Sequence, residues 1–176
     1  MAKYTEQEIG TLIGWFPQLM HDPNFQITSD STPAYNCIGW ALGMNDMWVG
    51  LDNPTNYAWT WWPEGVPCNE HKESLIALFE YFGFTTCSDG KYEPSFDKVA
   101  LYANKGGWTH AAKIVGTNEL HSKIGTAWDI HHSAGNIFDD TEYGNIFAYM
   151  KRPISDRYLT DLKKPQIGTI NIKPLP

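Results

Sequence analysis

The spacing of apolar residues predicts two helices in the N-terminal part of the chain. Thr5 and Glu8 match a capping box, and the apolar residues after them recur at helical spacing as far as Pro17. A second helix, short and apolar on nearly every side, is expected to begin at Cys37 with Asn36 as its N-cap. The lack of a polar face predicts that this second helix is buried.

A third helix has the clearest pattern in the sequence. Asn69 is expected to cap it, an apolar stripe runs from Leu75 to Phe82, and Gly83 would end it. Between the second and third helices lies a tryptophan-rich segment, residues 48–63. Its glycine, asparagine and proline residues disfavour regular structure, so it is predicted to be a long ordered loop.

Beyond the third helix the pattern changes to short apolar segments separated by turn signals. The predicted strands cover residues 84–87, 99–103, 109–115, 119–124 and 145–151. Because short turns join consecutive strands, an antiparallel meander is expected. The fold class is therefore predicted to be α+β, with N-terminal helices followed by an antiparallel sheet. A single domain would occupy residues 1–152, and the proline-rich residues 153–176 would form an extended tail packed on it or trailing from it.

Composition supports a folded domain and narrows its partners. The chain has 176 residues, of which 42% are apolar, enough to build a core. The net charge of -7 argues against nucleic acid as a partner, because phosphate contacts need clustered lysine and arginine. No apolar run suggests a signal peptide or membrane span, and the odd number of cysteines favours a reducing compartment. The cytoplasm is therefore the expected location, with non-classical delivery as the alternative.

Cys37 is the candidate nucleophile. At the start of a helix it would lie near unpaired backbone N–H groups and the positive end of the helix dipole, which lower a thiol pKa and can hold an oxyanion. The simpler interpretation is a core cysteine, because cysteine is among the most buried residue types.

His110 is the natural base for this thiol, because it opens a predicted strand among small neighbours. A hairpin turn at residues 117–118 would place His110 opposite Gly125 on the next strand. A group that orients the imidazole should then lie near or beyond this glycine, where Asp129 fits best and Ser122 is the alternative. A structural histidine and a turn or capping aspartate are the simpler interpretations.

The order of these residues resembles that of the papain-like and NlpC-type thiol hydrolases. In those families a cysteine at a helix start attacks an amide or ester carbonyl, a histidine that opens a strand is the base, and a polar residue orients the histidine. The resemblance implies a papain-like core with Cys37 as nucleophile, His110 as base and Asp129 as the orienting residue. Backbone N–H groups at Cys37 would be the oxyanion donors.

Four short motifs resemble more closely a small bacterial domain family of unknown function. They are Asn36-Cys37-Ile38-Gly39-Trp40-Ala41, Trp61-Trp62-Pro63, His110-Ala111-Ala112 and Ser122-Lys123-Ile124-Gly125. The likeness to thiol hydrolases implies a peptidase, amidase or deamidase, for example a bacterial effector, that acts on a peptide or protein without a cofactor. Trp61, Trp62 and Ser122 would then contact the substrate.

Three alternatives to this assignment stay open. The first is a non-catalytic binding or immunity-type protein, in which the cysteine and the histidine are buried and never meet. The second is a zinc site formed by Cys68 and His71 with His131 and His132, although the paired spacings usual for zinc are absent. The third concerns Trp59 and the tryptophans that follow it, which would form a carbohydrate or peptide platform or pack beneath a loop.

Overall fold

A computed structural model describes residues 3–51 and 60–166 of the chain. In these residues the fold is mixed α+β, with four α-helices and nine strands. The helices are α1 (Glu6–Trp15), α2 (Cys37–Ala41), α3 (Lys72–Tyr81) and α4 (Tyr158–Lys163). The strands are β1 (Gln26–Ile27), β2 (Trp48–Val49), β3 (Thr60–Trp61), β4 (Thr85–Cys87), β5 (Phe96–Asn104), β6 (Gly107–Gly116), β7 (Glu119–Lys123), β8 (Asp129–His132) and β9 (Asn145–Pro153). Within the described ranges, none of the helices is long and apolar enough to cross a membrane.

Seven of the strands form one antiparallel sheet in the order β1-β8-β7-β6-β5-β9-β4. Strands β5 to β8 are consecutive neighbours, which confirms the predicted antiparallel arrangement, and β9 returns to pair with the free side of β5. Strands β2 and β3 form a separate parallel pair. The tryptophan-rich segment therefore begins and ends in short strands instead of being a loop throughout, and its Trp59 lies outside the described residues.

The predicted N-terminal cap is confirmed for α1 but not for α3. At α1 the capping box is confirmed, because Glu8 N donates to Thr5 Oγ1 at 3.2 Å and Thr5 N donates to a Glu8 carboxylate oxygen at 2.7 Å. At α3 the predicted cap is wrong by two positions. His71 is the N-cap residue, while Asn69 Oδ1 accepts from His71 N at 3.0 Å and from Ser74 Oγ at 2.6 Å. Asn69 thus closes the turn that precedes the helix.

The chain after β9 is helical over much of its described length, which corrects the expectation that all helices precede the sheet. A 3₁₀ turn (Ile154–Asp156) leads into α4. Thr160 Oγ1 donates to Leu42 O at 2.7 Å, and Lys163 Nζ donates to Tyr81 O at 2.6 Å. Both acceptors lie at the C-terminal ends of helices, where carbonyl groups lack a partner within their own helix. The helical segment after β9 therefore provides hydrogen-bond donors to the carbonyl groups at the ends of α2 and α3. The predicted extended tail had no such role.

The sheet separates two hydrophobic cores, one on each face. The cluster that α2 and α3 form with one face of the sheet is called the first core. The cluster that α1 forms with the opposite face is called the second core. Side chains alternate along β6, so Ala111 belongs to the first core and Ala112 to the second. The first core also contains Cys37, whereas Tyr102, the partner of His110 on β5, is in the second.

Candidate functional site

Two bulges in β6 determine how its side chains are presented. At the start of the strand, His110 pairs with Tyr102 but Trp108 pairs with Ala103, so Thr109 is an extra residue. At the end of the strand, Gly116 pairs with Glu119 as predicted for the hairpin. The next pair is Ile114 with Leu120, so Val115 between them is a second extra residue.

The second bulge, at Val115, changes the register that the sequence predicts. Lys113 pairs with His121, so the expected placement of His110 opposite Gly125 is wrong by one residue. A shift of one residue moves every side chain of a strand to the other face of the sheet. The bulge therefore places Ser122 on the same face as His110.

Ser122 lies between two fully buried imidazole rings. Its hydroxyl oxygen is 2.9 Å from Nε2 of His110 and 2.7 Å from Nε2 of His132. Nδ1 of His132 lies 2.9 Å from the carbonyl oxygen of Ser133. All three side chains of this His110-Ser122-His132 chain have no solvent exposure.

The hydrogen bonds of this chain assign a tautomer to each ring. Burial is the main cause that lowers the pKa of His132 to about 4 and the pKa of His110 well below its usual 6.5, so both rings are neutral near pH 7. A carbonyl oxygen only accepts, so His132 carries its hydrogen on Nδ1 and accepts from Ser122 at Nε2. Ser122 then accepts from His110 Nε2–H, which leaves His110 Nδ1 with a free lone pair. This buried nitrogen has no hydrogen-bond partner in the described part of the chain.

Aromatic residues hold the His110 ring in place. Tyr143 stacks on it with ring centroids 4.1 Å apart and planes 8° from parallel, and Phe138 meets it edge to face at 5.3 Å. Tyr143 is anchored in turn by Thr109, the residue of the first bulge, whose hydroxyl donates to Tyr143 O at 2.5 Å. The bulge therefore contributes both to the direction of His110 and to the residue that covers it.

Asn36 positions the start of α2, as predicted. Its Oδ1 accepts from Gly39 N at 3.0 Å, which caps the helix, and from Val49 N at 3.1 Å. Its Nδ2 donates to Val49 O at 2.7 Å. The side chain thus joins the first turn of α2 to β2, and Cys37, the next residue, is fixed relative to both elements.

The environment of the Cys37 thiol differs from the expectation for a helix start. The residue is only 8% exposed, and burial raises the pKa of the thiol to about 11. Backbone N–H groups of Ala111, Ile38 and Cys37 itself act in the opposite direction but do not offset burial. The thiol is therefore protonated at neutral pH, surrounded by donors that would stabilise negative charge near the sulphur.

Cys37 and His110 make no direct contact in the described part of the chain. Among the contacts of the described residues, no hydrogen bond joins the sulphur to the imidazole, and the two side chains pack in different cores. However, the backbone N–H of Ala111 acts on the Cys37 sulphur, and Ala111 is the residue bonded to His110. Cys37 and His110 thus lie on opposite faces of the sheet, each next to the same short stretch of β6.

Asp129, the first choice for the orienting residue, does not contact His110. It pairs with Lys123 across β7 and β8, and its Oδ2 accepts from the hydroxyl of Tyr35 at 2.8 Å. Ser122, the alternative, makes the contact to the ring. Sequence reasoning missed His132 and Lys123 as parts of this region. A weak strand signal could have indicated His132: Ile130 and His132 are two positions apart, so on a strand they point to the same face of the sheet.

The remaining sequence candidates have structural contacts. Trp61 packs edge to face on Phe82, with ring centroids 6.1 Å apart. Trp62 stacks on Trp108 at 5.9 Å, and its indole N–H donates to Val66 O at 3.1 Å. Both tryptophans are only partly buried and pack against the first core.

The four residues considered for zinc do not converge. Cys68 and His71 precede α3, His132 is buried beside Ser122, and His131 Nε2 lies 3.7 Å from a carboxylate oxygen of Glu119. Across the ranges 3–51 and 60–166, no group of three or more histidine, cysteine, aspartate or glutamate side chains is arranged to hold a metal ion.

Comparison with known proteins identifies a family but no characterised relative. No curated protein and no solved structure matches the chain, so the papain-like relationship has no support from these comparisons. Residues 26–151 match the model of a family described as a domain of unknown function (DUF7689), which agrees with the resemblance to a family of unknown function. This match spans most of the chain and includes every candidate residue of the site, and the chain therefore belongs to the DUF7689 family.

Proposed function

We propose that this domain is a cysteine-dependent hydrolase or acyltransferase that acts on an amide, peptide or isopeptide bond, with Cys37 as nucleophile and His110 as base. The observation that carries the proposal is the tautomer of His110. Its Nε2–H is bound to Ser122 and its Nδ1 keeps a free lone pair, while the next residue, Ala111, has the backbone N–H that acts on the Cys37 sulphur. A base for a thiol needs one ring nitrogen held by an orienting group and the other free to accept a proton.

The proposed reaction begins from a neutral thiol and a neutral imidazole. His110 Nδ1 takes the Cys37 proton while the sulphur forms a bond to the carbonyl carbon. The oxygen of the tetrahedral intermediate carries the negative charge, which backbone N–H groups of Cys37 and Ile38 are suited to stabilise. The imidazolium then gives its proton to the leaving amine as the C–N bond breaks, which produces a thioester.

Water, or an amine in the acyltransferase case, completes the cycle. It attacks the thioester carbonyl, His110 removes a proton from it, and the C–S bond breaks as the thiolate recovers this proton. Both steps require the Cys37 sulphur and His110 Nδ1 to come within hydrogen-bond distance, closer than in the resting structure. Because the two side chains pack in cores on opposite faces of the sheet, this approach requires β6 to rearrange at the bulge beside His110 when substrate binds.

The burial of both side chains favours a second candidate, the non-catalytic binding or immunity-type protein. The Cys37 thiol has a raised pKa, and its side chain and that of His110 pack in different cores. In this alternative the His110-Ser122-His132 chain only stabilises the fold. The two candidates differ in one property: only the hydrolase forms a covalent acyl intermediate at Cys37.

Acylation by a small activated ester tests the proposal. Native protein would be incubated with p-nitrophenyl acetate, and the acetylated cysteine would be identified by intact and peptide mass spectrometry. We expect acetyl transfer to Cys37 at a rate that falls by about 10²–10⁴-fold in His110→Gln. The matched control Cys68→Ala, which removes an exposed thiol, should leave this rate unchanged.

Two results would refute the hydrolase. One is acetylation of Cys37 no faster than that of Cys68 or Cys87 in the native protein. The other is an equal rate in wild type and in a folded His110→Gln variant, with folding checked by near-ultraviolet circular dichroism. Either result would support the binding protein.

A further inference from the structure

A groove of about 550 Å³ lies beside α2, over strands β5, β6 and β7. Its volume is within the range of small-molecule sites. The residues that line it include three aromatic side chains and several charged ones, among them Trp40, Tyr92, Phe96, Asp97, Lys113 and Arg157. Neither the proposed nucleophile nor the proposed base lines this groove, so it is separate from the site described above.

Lys113 is the groove cation that forms no contact ion pair among the described residues, although the charges of Asp97 and Asp129 act on it from a distance. Its Nζ lies 4.0 Å from the centroid of the Trp40 ring, a cation–π contact. In the described part of the chain, it forms no hydrogen bond or ion pair. The side chain is half-buried, and burial is the main cause that lowers the pKa of its ammonium group. A partly desolvated cation of this kind gains stability when an anion binds.

The one carboxylate that lines the groove is already shared by two guanidinium groups. Asp97 accepts from Arg157 Nη2 at 2.7 Å and Nε at 3.0 Å, and its other oxygen lies 3.4 Å from Arg152 Nε. Arg152 and Arg157 thus contact both oxygens of this carboxylate, and Asp97 forms no ion pair with Lys113.

The other titratable groups that line the groove provide no anion in contact with Lys113. Lys98 is neutralised by Asp89 at 3.2 Å and Glu93 at 2.9 Å. Burial and the neighbouring His131 lower the pKa of His121, which keeps that ring neutral near pH 7. Lys113 is thus the lining cation without a carboxylate in direct contact, within the part of the chain that the structure describes.

We propose that this groove binds an organic monocarboxylate with a flat, apolar body. The carboxylate would pair with Lys113, and the body would lie against the aromatic walls formed by Trp40, Tyr92 and Phe96. A single unpaired ammonium group with an aspartate nearby suits one negative charge better than the two of a phosphate monoester. The aromatic walls suit an aromatic ring, or a peptide that ends in an aromatic residue.

Calorimetric titration with benzoate tests this site in the intact protein. We expect benzoate to bind, its neutral analogue benzamide to bind at least about tenfold more weakly, and Lys113→Met to lose about tenfold or more in benzoate affinity. The matched control is Lys105→Met, which removes an exposed lysine from the turn between β5 and β6 and should bind benzoate like the wild type.

A second measurement uses the wild type alone, so it does not depend on the folding of a variant. The side-chain NMR signals of Lys113 should shift on addition of benzoate and shift much less on addition of benzamide at the same concentration. Absence of benzoate binding at millimolar concentration, equal affinity in Lys113→Met, or equally tight binding of inorganic phosphate would overturn the proposal. Because the groove excludes Cys37 and His110, none of these results bears on the acylation experiment.

Discussion

The hydroxyl oxygen of Ser122 lies 2.9 Å from Nε2 of His110, on the neighbouring strand of the sheet. This contact requires the bulge at Val115, because without it the two side chains would lie on opposite faces. It also decides which nitrogen of His110 carries the hydrogen.

Replacing Ser122 with alanine should change the tautomer of His110. Without the hydroxyl, the two Nε2 atoms that it joins lose their shared partner, so His110 is no longer restricted to the Nε2–H form. Nitrogen NMR of the imidazole side chains should show Nε2–H for His110 and Nδ1–H for His132 in the wild type. In Ser122→Ala the His110 pattern should change. An unchanged pattern would mean that other contacts fix the ring.

The same substitution should lower the free energy of unfolding by about 1–3 kcal/mol, the usual cost of leaving buried polar groups unsatisfied. Urea denaturation measures this loss. Ser88→Ala, which removes an exposed hydroxyl, is the matched control and should lie within about 0.5 kcal/mol of the wild type.

Stability should fall as the pH is lowered from 7 to 5. The pKa values of His110 and His132 are lowered in the folded protein, so the unfolded chain binds more protons below its ordinary histidine pKa of about 6.5. The stabilisation from neutral, buried rings is therefore complete above this pH and decreases below it. The expected loss between pH 7 and 5 is about 2 kcal/mol for each ring.

Urea denaturation across this range, in wild type and His132→Gln, measures the slope. The variant should lose about half of the pH dependence that the two rings contribute. His71→Gln removes an exposed histidine and should keep the wild-type slope. A flat profile in the wild type would contradict the assignment of both rings as neutral.

Asn36→Ala should be strongly destabilising. The substitution removes the cap of α2 and leaves the backbone N–H and carbonyl of Val49 without the partners they have now. The cap contributes about 1 kcal/mol and each unsatisfied buried group about 1–3 kcal/mol. We expect a total loss of about 3 kcal/mol in urea denaturation. Asn45→Ala, at an exposed asparagine in the same segment, should be near neutral.

Lys123→Met should destabilise the fold although the side chains have similar lengths. The buried ammonium group donates to the carbonyl oxygens of Thr32 at 2.8 Å, Gly125 at 2.9 Å and Ala127 at 2.5 Å. Methionine leaves all three without this donor, at a cost of about 3 kcal/mol or more. The exposed Lys105→Met is the control in the same denaturation experiment. Equal stability of the two variants would mean that water replaces the ammonium group without loss.

Periodicity and capping signals predict much of the fold, because they depend on neighbouring residues. The capping box at Thr5 and the N-cap Asn36 are examples, as are the long strands of the meander. The strand β1 has only two residues and no periodicity, and its pairing with β8 depends on distant chain segments. The helix α4 lies between prolines that suggested extended chain, and its contacts with α2 and α3 outweigh this local preference.

The candidate site was only partly predictable for a related reason. The sequence indicates Cys37 and His110 through their positions at the start of a helix and of a strand. It does not indicate the bulge at Val115, which decides between Ser122 and Asp129 as the neighbour of the imidazole. Nor does it indicate that burial dominates the thiol pKa, since that depends on how α2 packs on the sheet.

The two bulges of β6 also constrain how this family can change by insertion or deletion. They delimit a short stretch of strand, residues 110–114, that carries His110 towards one face and Lys113 towards the other. An insertion or deletion in the flanking turns leaves the alternation of side chains within this stretch unchanged. An insertion or deletion within the stretch would move the side chains on one side of it to the opposite face of the sheet. The proposed base and the proposed anion site would then be displaced together. Family members with an insertion or deletion in this stretch should therefore lack both the proposed base and the proposed anion site.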